Sequence, residues 1–160
     1  MRNYLFNTEK INYVKGDKPK VECILCAIRD KLPEVTQLEV YRNDDFIVSL
    51  NLYPYNPGHL MVFPTRHIEE LADMTDNEVL FMNQLTLKAI TVLRDEYNPS
   101  GFNIGYNLGS DSGASLYHIH QHIVPRYRNE IGFIDIIGGA RVFVIDPLVV
   151  QEKLKKNFIL

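Results

Sequence analysis

The 160-residue chain has only two cysteines and no apolar stretch approaching the length of a membrane span. The scarcity of cysteine excludes a disulfide framework of the kind that staples small secreted domains. Without a long apolar run no transmembrane helix is expected, nor is a secretory leader, since Met1 to Lys10 carry no apolar core. The expected compartment is therefore cytoplasmic. An excess of positive charge is missing as well: 17 Lys and Arg stand against 20 Asp and Glu, for a net charge of −3. That balance argues against a partner gripped along a nucleic-acid polymer, although a small anion can still be held in a pocket. No internal repeat or low-complexity tract is present.

What remains suits one globular domain over 1–160, with 46% hydrophobic and 23% charged residues. Residues 1–22 read as an N-terminal extension that wraps on the surface, and 138–160 as a C-terminal tail. Between them, Gln37 to Asn51 predicts a β-hairpin turning at Asn43-Asp44-Asp45, and His59 to Pro64 a third strand. A long helix is predicted from Thr75 to Tyr97, opened by a Thr75/Glu78 capping box. Its core stripe is Val79, Met82, Thr86, Ile90, Leu93 and Tyr97. Phe81, Leu85 and Val92 widen that apolar surface, which suggests a homodimer covering part of it. Phe102 to Asn107 predicts a fourth strand, and a glycine-containing loop follows over Gly109 to Ser115. After an expected turn and extended stretch at Gly138 to Val144, Asp146-Pro147 opens a C-terminal helix. The order of elements predicts an α+β fold with an antiparallel sheet of about five strands.

The fifth strand carries the most informative pattern. In Tyr117-His118-Ile119-His120-Gln121-His122-Ile123-Val124-Pro125-Arg126, three of the five histidines alternate. Period two on a strand points the three imidazoles to one face and Ile119, Gln121 and Ile123 to the other. Adjacent imidazoles can divide the tasks of nucleophile, proton donor and phosphate contact, or can bind a metal. The residues alone leave both open. Backbone N–H groups of the preceding loop and the Ser115 hydroxyl are placed to hold anionic oxygens. The other cluster is Cys23-Ile24-Leu25-Cys26, a CxxC that serves either a redox pair or, with two further ligands, a tetrahedral metal.

His118-Ile119-His120-Gln121-His122-Ile123-Val124 resembles the signature of the histidine triad superfamily of nucleotide hydrolases and transferases. The resemblance extends over nearly the whole chain, through Asn51, the segment Pro54-Tyr55-Asn56-Pro57-Gly58-His59, and the tail from Ile137 to Val142. It is closest to the bacterial diadenosine tetraphosphate phosphorylase branch. Two departures stand out: Gln121 where the general motif has an apolar residue, and Ala114 where several hydrolase branches carry a glutamine. The resemblance implies a histidine-triad fold and cleavage of a dinucleoside polyphosphate. His120 would attack the α-phosphate to give a nucleotidyl-histidine, and His122 would bind phosphate or assist the leaving group. Asn51, at the family's ribose-binding position, would bind the nucleotide with His59, Asn107, Ser115 and His122, although Asn51, Asn107 and Ser115 also suit ordinary turns and caps. It further implies structural zinc held by Cys23, Cys26, His67 and His118. Other readings are a nucleoside phosphoramidate hydrolase, a nucleotide-binding signalling module with little turnover, or a catalytic metal on the three histidines.

Overall fold

The computed structural model describes residues 19–128 and 146–159. The stretches 1–18, 129–145 and the last residue lie outside, and with them most of the expected N-terminal extension and the extended stretch at 138–144. The order of elements is α1 (Ile24–Arg29), β1 (Glu39–Arg42), β2 (Phe46–Leu50), β3 (Leu60–Pro64), α2 (Asp76–Tyr97), β4 (Gly101–Gly105), β5 (Gln121–Arg126) and α3 (Pro147–Asn157). The strands form one antiparallel sheet in the order β1-β2-β3-β5-β4. The expected α+β architecture is present, and β5 lies between β3 and β4 rather than at an edge.

Both faces of the sheet are covered, which is why every residue of β2 and β3 is buried. Alternation assigns the faces. Phe46, Val48, Leu60, Val62 and Ile123 pack with Met82, Leu85, Ala89, Val92 and Leu93 of α2 and Leu154 of α3. Ile47, Met61 and Phe63 point the other way, against Leu25, Ala27 and Ile28 of α1. The triad residues emerge on this second face.

Helix α2 begins as expected: Thr75 accepts from the Glu78 N–H while the Glu78 carboxylate reaches back to the Thr75 N–H. It ends at Asn98 in the left-handed conformation, before Pro99. The phase of its core stripe differs from expectation. Leu85, Ala89 and Val92 lie at its centre, whereas Val79 is 45% exposed and Ile90 only half-buried. Because α2 meets both the sheet and α3, its buried face is wider than one stripe. Leu85 and Val92, read as surplus apolar surface, are consumed by the chain's own core.

The fifth strand starts later than the sequence suggests. Only His122 of the triad lies within β5, since pairing to β3 runs from Leu60↔Ile123 to Val62↔Gln121 and stops. Pro64 at the end of β3 has no N–H to continue the ladder. The Ile119 N–H goes instead to the Ile68 carbonyl, at 2.7 Å. His118 and His120 therefore lie just before the strand, and Ile119 between them still packs in the same core cluster as Ile123.

Candidate functional site

The two cysteines open α1, a six-residue helix with no signal strong enough to predict it from sequence. Cys23 is its N-cap and accepts from the Cys26 N–H at 3.4 Å, so the CxxC spans one helical turn. His67 follows β3 and His118 precedes β5, and the ligand atoms of all four residues lie within 4.8 Å of one another. Three of the four sulfur to Nδ1 separations are 3.5 Å for Cys23–His118, 3.4 Å for Cys26–His67 and 3.5 Å for Cys26–His118. A tetrahedral ion with metal–sulfur and metal–nitrogen bonds of about 2.3 and 2.0 Å sets sulfur–nitrogen edges of about 3.5 Å. The donor set therefore fits such an ion in chemistry and in size.

Both imidazoles are oriented for that task. His118 Nε2 donates to the Pro64 carbonyl at 3.0 Å and His67 Nε2 lies 3.2 Å from the Glu69 carboxylate, leaving each Nδ1 toward the sulfurs. Burial, then the neighbouring His67, pulls the His118 pKa down to about 4, so this ring is neutral. Burial and the adjacent Cys23 push the Cys26 thiol up to about 11.

His120 and His122 stand outside this cluster. His120 is 6% exposed, and its Nδ1–H donates to the His118 carbonyl at 2.9 Å. The lone pair is thereby placed on Nε2, and burial lowers the pKa so that the lone pair is free of a proton. For His122 the proton follows from a chain of bonds. The Tyr55 N–H donates to His59 Nδ1 at 3.2 Å, which puts the His59 proton on Nε2. That proton is donated to His122 Nδ1 at 3.0 Å, so a neutral His122 carries its own proton on Nε2. The Asn107 atom beyond it, at 3.3 Å, is the amide nitrogen Nδ2, and with the amide turned over its oxygen accepts from this Nε2–H. A bare imidazole nitrogen thus stands beside an N–H donor, with ring centroids 4.7 Å apart.

Both rings line a cavity of about 220 Å³ together with Asn51, Asn107 and Ser115. Its far wall is apolar, built from Ile24 and Ile28 of α1 with Val35 and Leu38, while Glu34 and Thr36 form a polar margin. Neither this wall nor that margin was marked by the sequence, because α1 was not recognised. Asn51 uses its side-chain oxygen to accept from the Tyr53 N–H, an Asx turn that also fixes the amide at the cavity. His59 is fully buried, stacked on Tyr55, and sits beneath His122 rather than in the cavity wall. Gly58 just before it has φ +81°, and a Cβ there would meet Leu93 Cδ2 at 2.8 Å, so any other residue would be strained in this turn. The sequence-predicted residues thus fall into two groups, Cys23, Cys26, His67 and His118 in one, and Asn51, His59, Asn107, Ser115, His120 and His122 in the other.

A family model described as the HIT domain matches residues 32–129. The chain is 48% identical over 113 residues to a protein of Mycobacterium tuberculosis named AP-4-A phosphorylase, covering 70% of this chain and 58% of that one. It is 32% identical over 107 residues to the asymmetrical bis(5'-nucleosyl)-tetraphosphatase of Schizosaccharomyces pombe, covering 67% and 58%. The chain thus spans somewhat more than half the length of either relative. A Zn-bound histidine triad family protein from Mycobacterium smegmatis shares the fold, with a TM-score of 0.70 and 24% identity over 86% of this chain and 93% of that one. Among the described residues, no helix is long and apolar enough to cross a membrane.

Proposed function

The chain belongs to the HIT domain family, and from that premise we propose that it cleaves a dinucleoside polyphosphate, such as diadenosine tetraphosphate, through a nucleotidyl-histidine on His120. The arrangement that carries this reading is the two rings 4.7 Å apart, whose hydrogen bonds assign a lone pair to His120 Nε2 and an N–H to His122 Nε2. The His120 Nε2 lone pair attacks the α-phosphorus, a P–N bond forms, and the P–O bond to the departing nucleoside polyphosphate breaks. His122 Nε2–H donates to the oxygens on which charge develops, while the Asn107 amide and Ser115 hydroxyl bind the phosphate. In the second half an acceptor oxygen attacks phosphorus, and the P–N bond breaks to return the His120 lone pair. The apolar wall of Ile24, Ile28, Val35 and Leu38 suits a nucleobase, and Asn51 the adjoining ribose.

For the acceptor, the names of the two relatives point to different molecules, phosphate in one and water in the other. Incubation of the protein with diadenosine tetraphosphate, with and without inorganic phosphate, decides between them. ADP and ATP formed only with phosphate mean phosphorolysis; AMP and ATP mean hydrolysis. Turnover of a nucleoside phosphoramidate with neither reaction would overturn the substrate assignment.

Cys23, Cys26, His67 and His118 would hold one zinc ion. A site with four protein ligands leaves no open position, so the ion would supply rigidity rather than a Lewis acid. The outward Val79, Leu80 and Leu87 of α2 support a homodimer, which light scattering of the purified protein would test.

A further inference from the structure

Gln121 is an anomaly on the helix-facing side of the triad segment. Its neighbours Ile119 and Ile123 bury apolar side chains against α2, yet an amide only 7% exposed stands between them. A buried amide is costly unless its donors and acceptor are matched. Here both ends are. The one proton of the Thr86 hydroxyl on α2 is shared between Gln121 Oε1 and the Met82 carbonyl one turn back. The Gln121 Nε2 donates to the Tyr106 hydroxyl at 3.0 Å, and that hydroxyl lies 2.9 Å from Met82 Sδ. One side chain therefore joins the triad segment to α2 and to the chain leaving β4.

Tyr106 is the residue before Asn107, whose amide lies 3.3 Å from His122 Nε2. Gln121 is the residue before His122. The Gln121–Tyr106 bond thus spans, on the buried face of the sheet, the same two chain segments that Asn107 and His122 span on the cavity face. A polar lock of this kind also penalises a register slip, which would strand the amide among apolar groups and turn the imidazoles into the core.

We propose that Gln121 is a positioning residue, which through Thr86 and Tyr106 sets the separation of Asn107 from His122 and so fixes the donor beside His120. This assignment rests on the reading of His120 and His122 as the reacting pair. Two readouts test it on the full chain in three variants, Gln121→Leu, Thr86→Val and Thr86→Ser. In ring-nitrogen NMR spectra of histidine-labelled protein, the wild type is expected to show His122 as a single Nε2–H tautomer. Gln121→Leu and Thr86→Val are expected to show it averaged between tautomers, and Thr86→Ser, which keeps the hydroxyl, to resemble wild type. With diadenosine tetraphosphate, kcat should fall about ten- to a hundredfold in the first two variants, with KM within about twofold, as for a misplaced reacting group.

Gln121→Leu with wild-type tautomers and wild-type kcat would overturn the proposal, reducing the amide to packing. So would Thr86→Ser losing as much as Thr86→Val. Should Gln121→Leu fail to fold, the two Thr86 variants decide alone. The spectra need no substrate, so a wild type that leaves diadenosine tetraphosphate intact would remove the substrate assignment while the tautomer shift still decides the role of Gln121.

Discussion

His118 and His120 are joined through the backbone: the His120 Nδ1–H donates to the His118 carbonyl at 2.9 Å, while the His118 ring turns away toward Cys23 and Cys26. One residue thus belongs to the cysteine cluster by its side chain and to the cavity by its main chain. Alternation of three histidines suggests a single row of equivalent imidazoles. The geometry divides them between two sites that share His118.

The cluster leads to the first prediction. Purified protein is expected to carry close to one zinc per chain, and Cys26→Ser close to none, as measured by elemental analysis. Because Glu69 holds the outer nitrogen of His67, Glu69→Gln should weaken zinc binding by about tenfold, read by competition with a chromogenic chelator. Protein that is fully folded and free of metal at neutral pH would count against the site.

The second prediction concerns the proton chain behind His122. His59→Phe fills the buried space but offers no N–H to His122 Nδ1, so kcat should fall about a hundredfold, within the range ascribed to general acid catalysis. His59→Gln, whose amide can donate, should recover a substantial part of that loss. Equal kcat in the two variants would mean that the Nε2–H of His59 has no part in orienting His122.

A third prediction is structural and depends on pH. The Arg66 guanidinium, 2.6 Å away, and then the backbone and hydroxyl of Thr75 hold the Glu78 carboxyl down to about 2 from an ordinary value of 4.5. The folded state therefore binds its proton less readily than the unfolded chain. The stabilisation is complete above about pH 4.5 and disappears as pH falls toward about 2. Arg66 is 46% exposed, so water screens the pair, and Glu78→Gln should cost only about 1 kcal/mol at neutral pH. Urea midpoints measured across that window should converge for wild type and variant as the acid limit is approached.

These residues also show what is legible in a sequence. The capping box is a local device, and it placed the start of α2 correctly. The hairpin and the facing of the histidines followed from period-two alternation in the same way. The late start of β5 was not local: it depends on Pro64 and on the Ile68 carbonyl, each more than fifty residues away in the chain. Helix α1 is six residues long and capped by a cysteine, so neither length nor capping type announced it, and the apolar wall of the cavity was missed with it. The partners of Gln121 were equally hidden, since Thr86 reads as one more position on a helix stripe until the helix is laid on the sheet.

The fourth prediction separates chemistry from binding. His120→Ala should lower turnover of diadenosine tetraphosphate at least about a thousandfold, while calorimetric titration finds nucleotide affinity within a few-fold of wild type, the pattern of a lost nucleophile. Loss of binding in parallel with turnover would place His120 in recognition instead.

The most direct test is to trap the intermediate. Wild-type protein mixed with diadenosine tetraphosphate, quenched in base to preserve a phosphoramidate and digested for mass spectrometry, should yield one adenylyl group on the peptide containing His118 to Arg126, located on His120 and absent from His120→Ala. Turnover without any adduct, or an adduct on a different residue, would contradict covalent catalysis by His120.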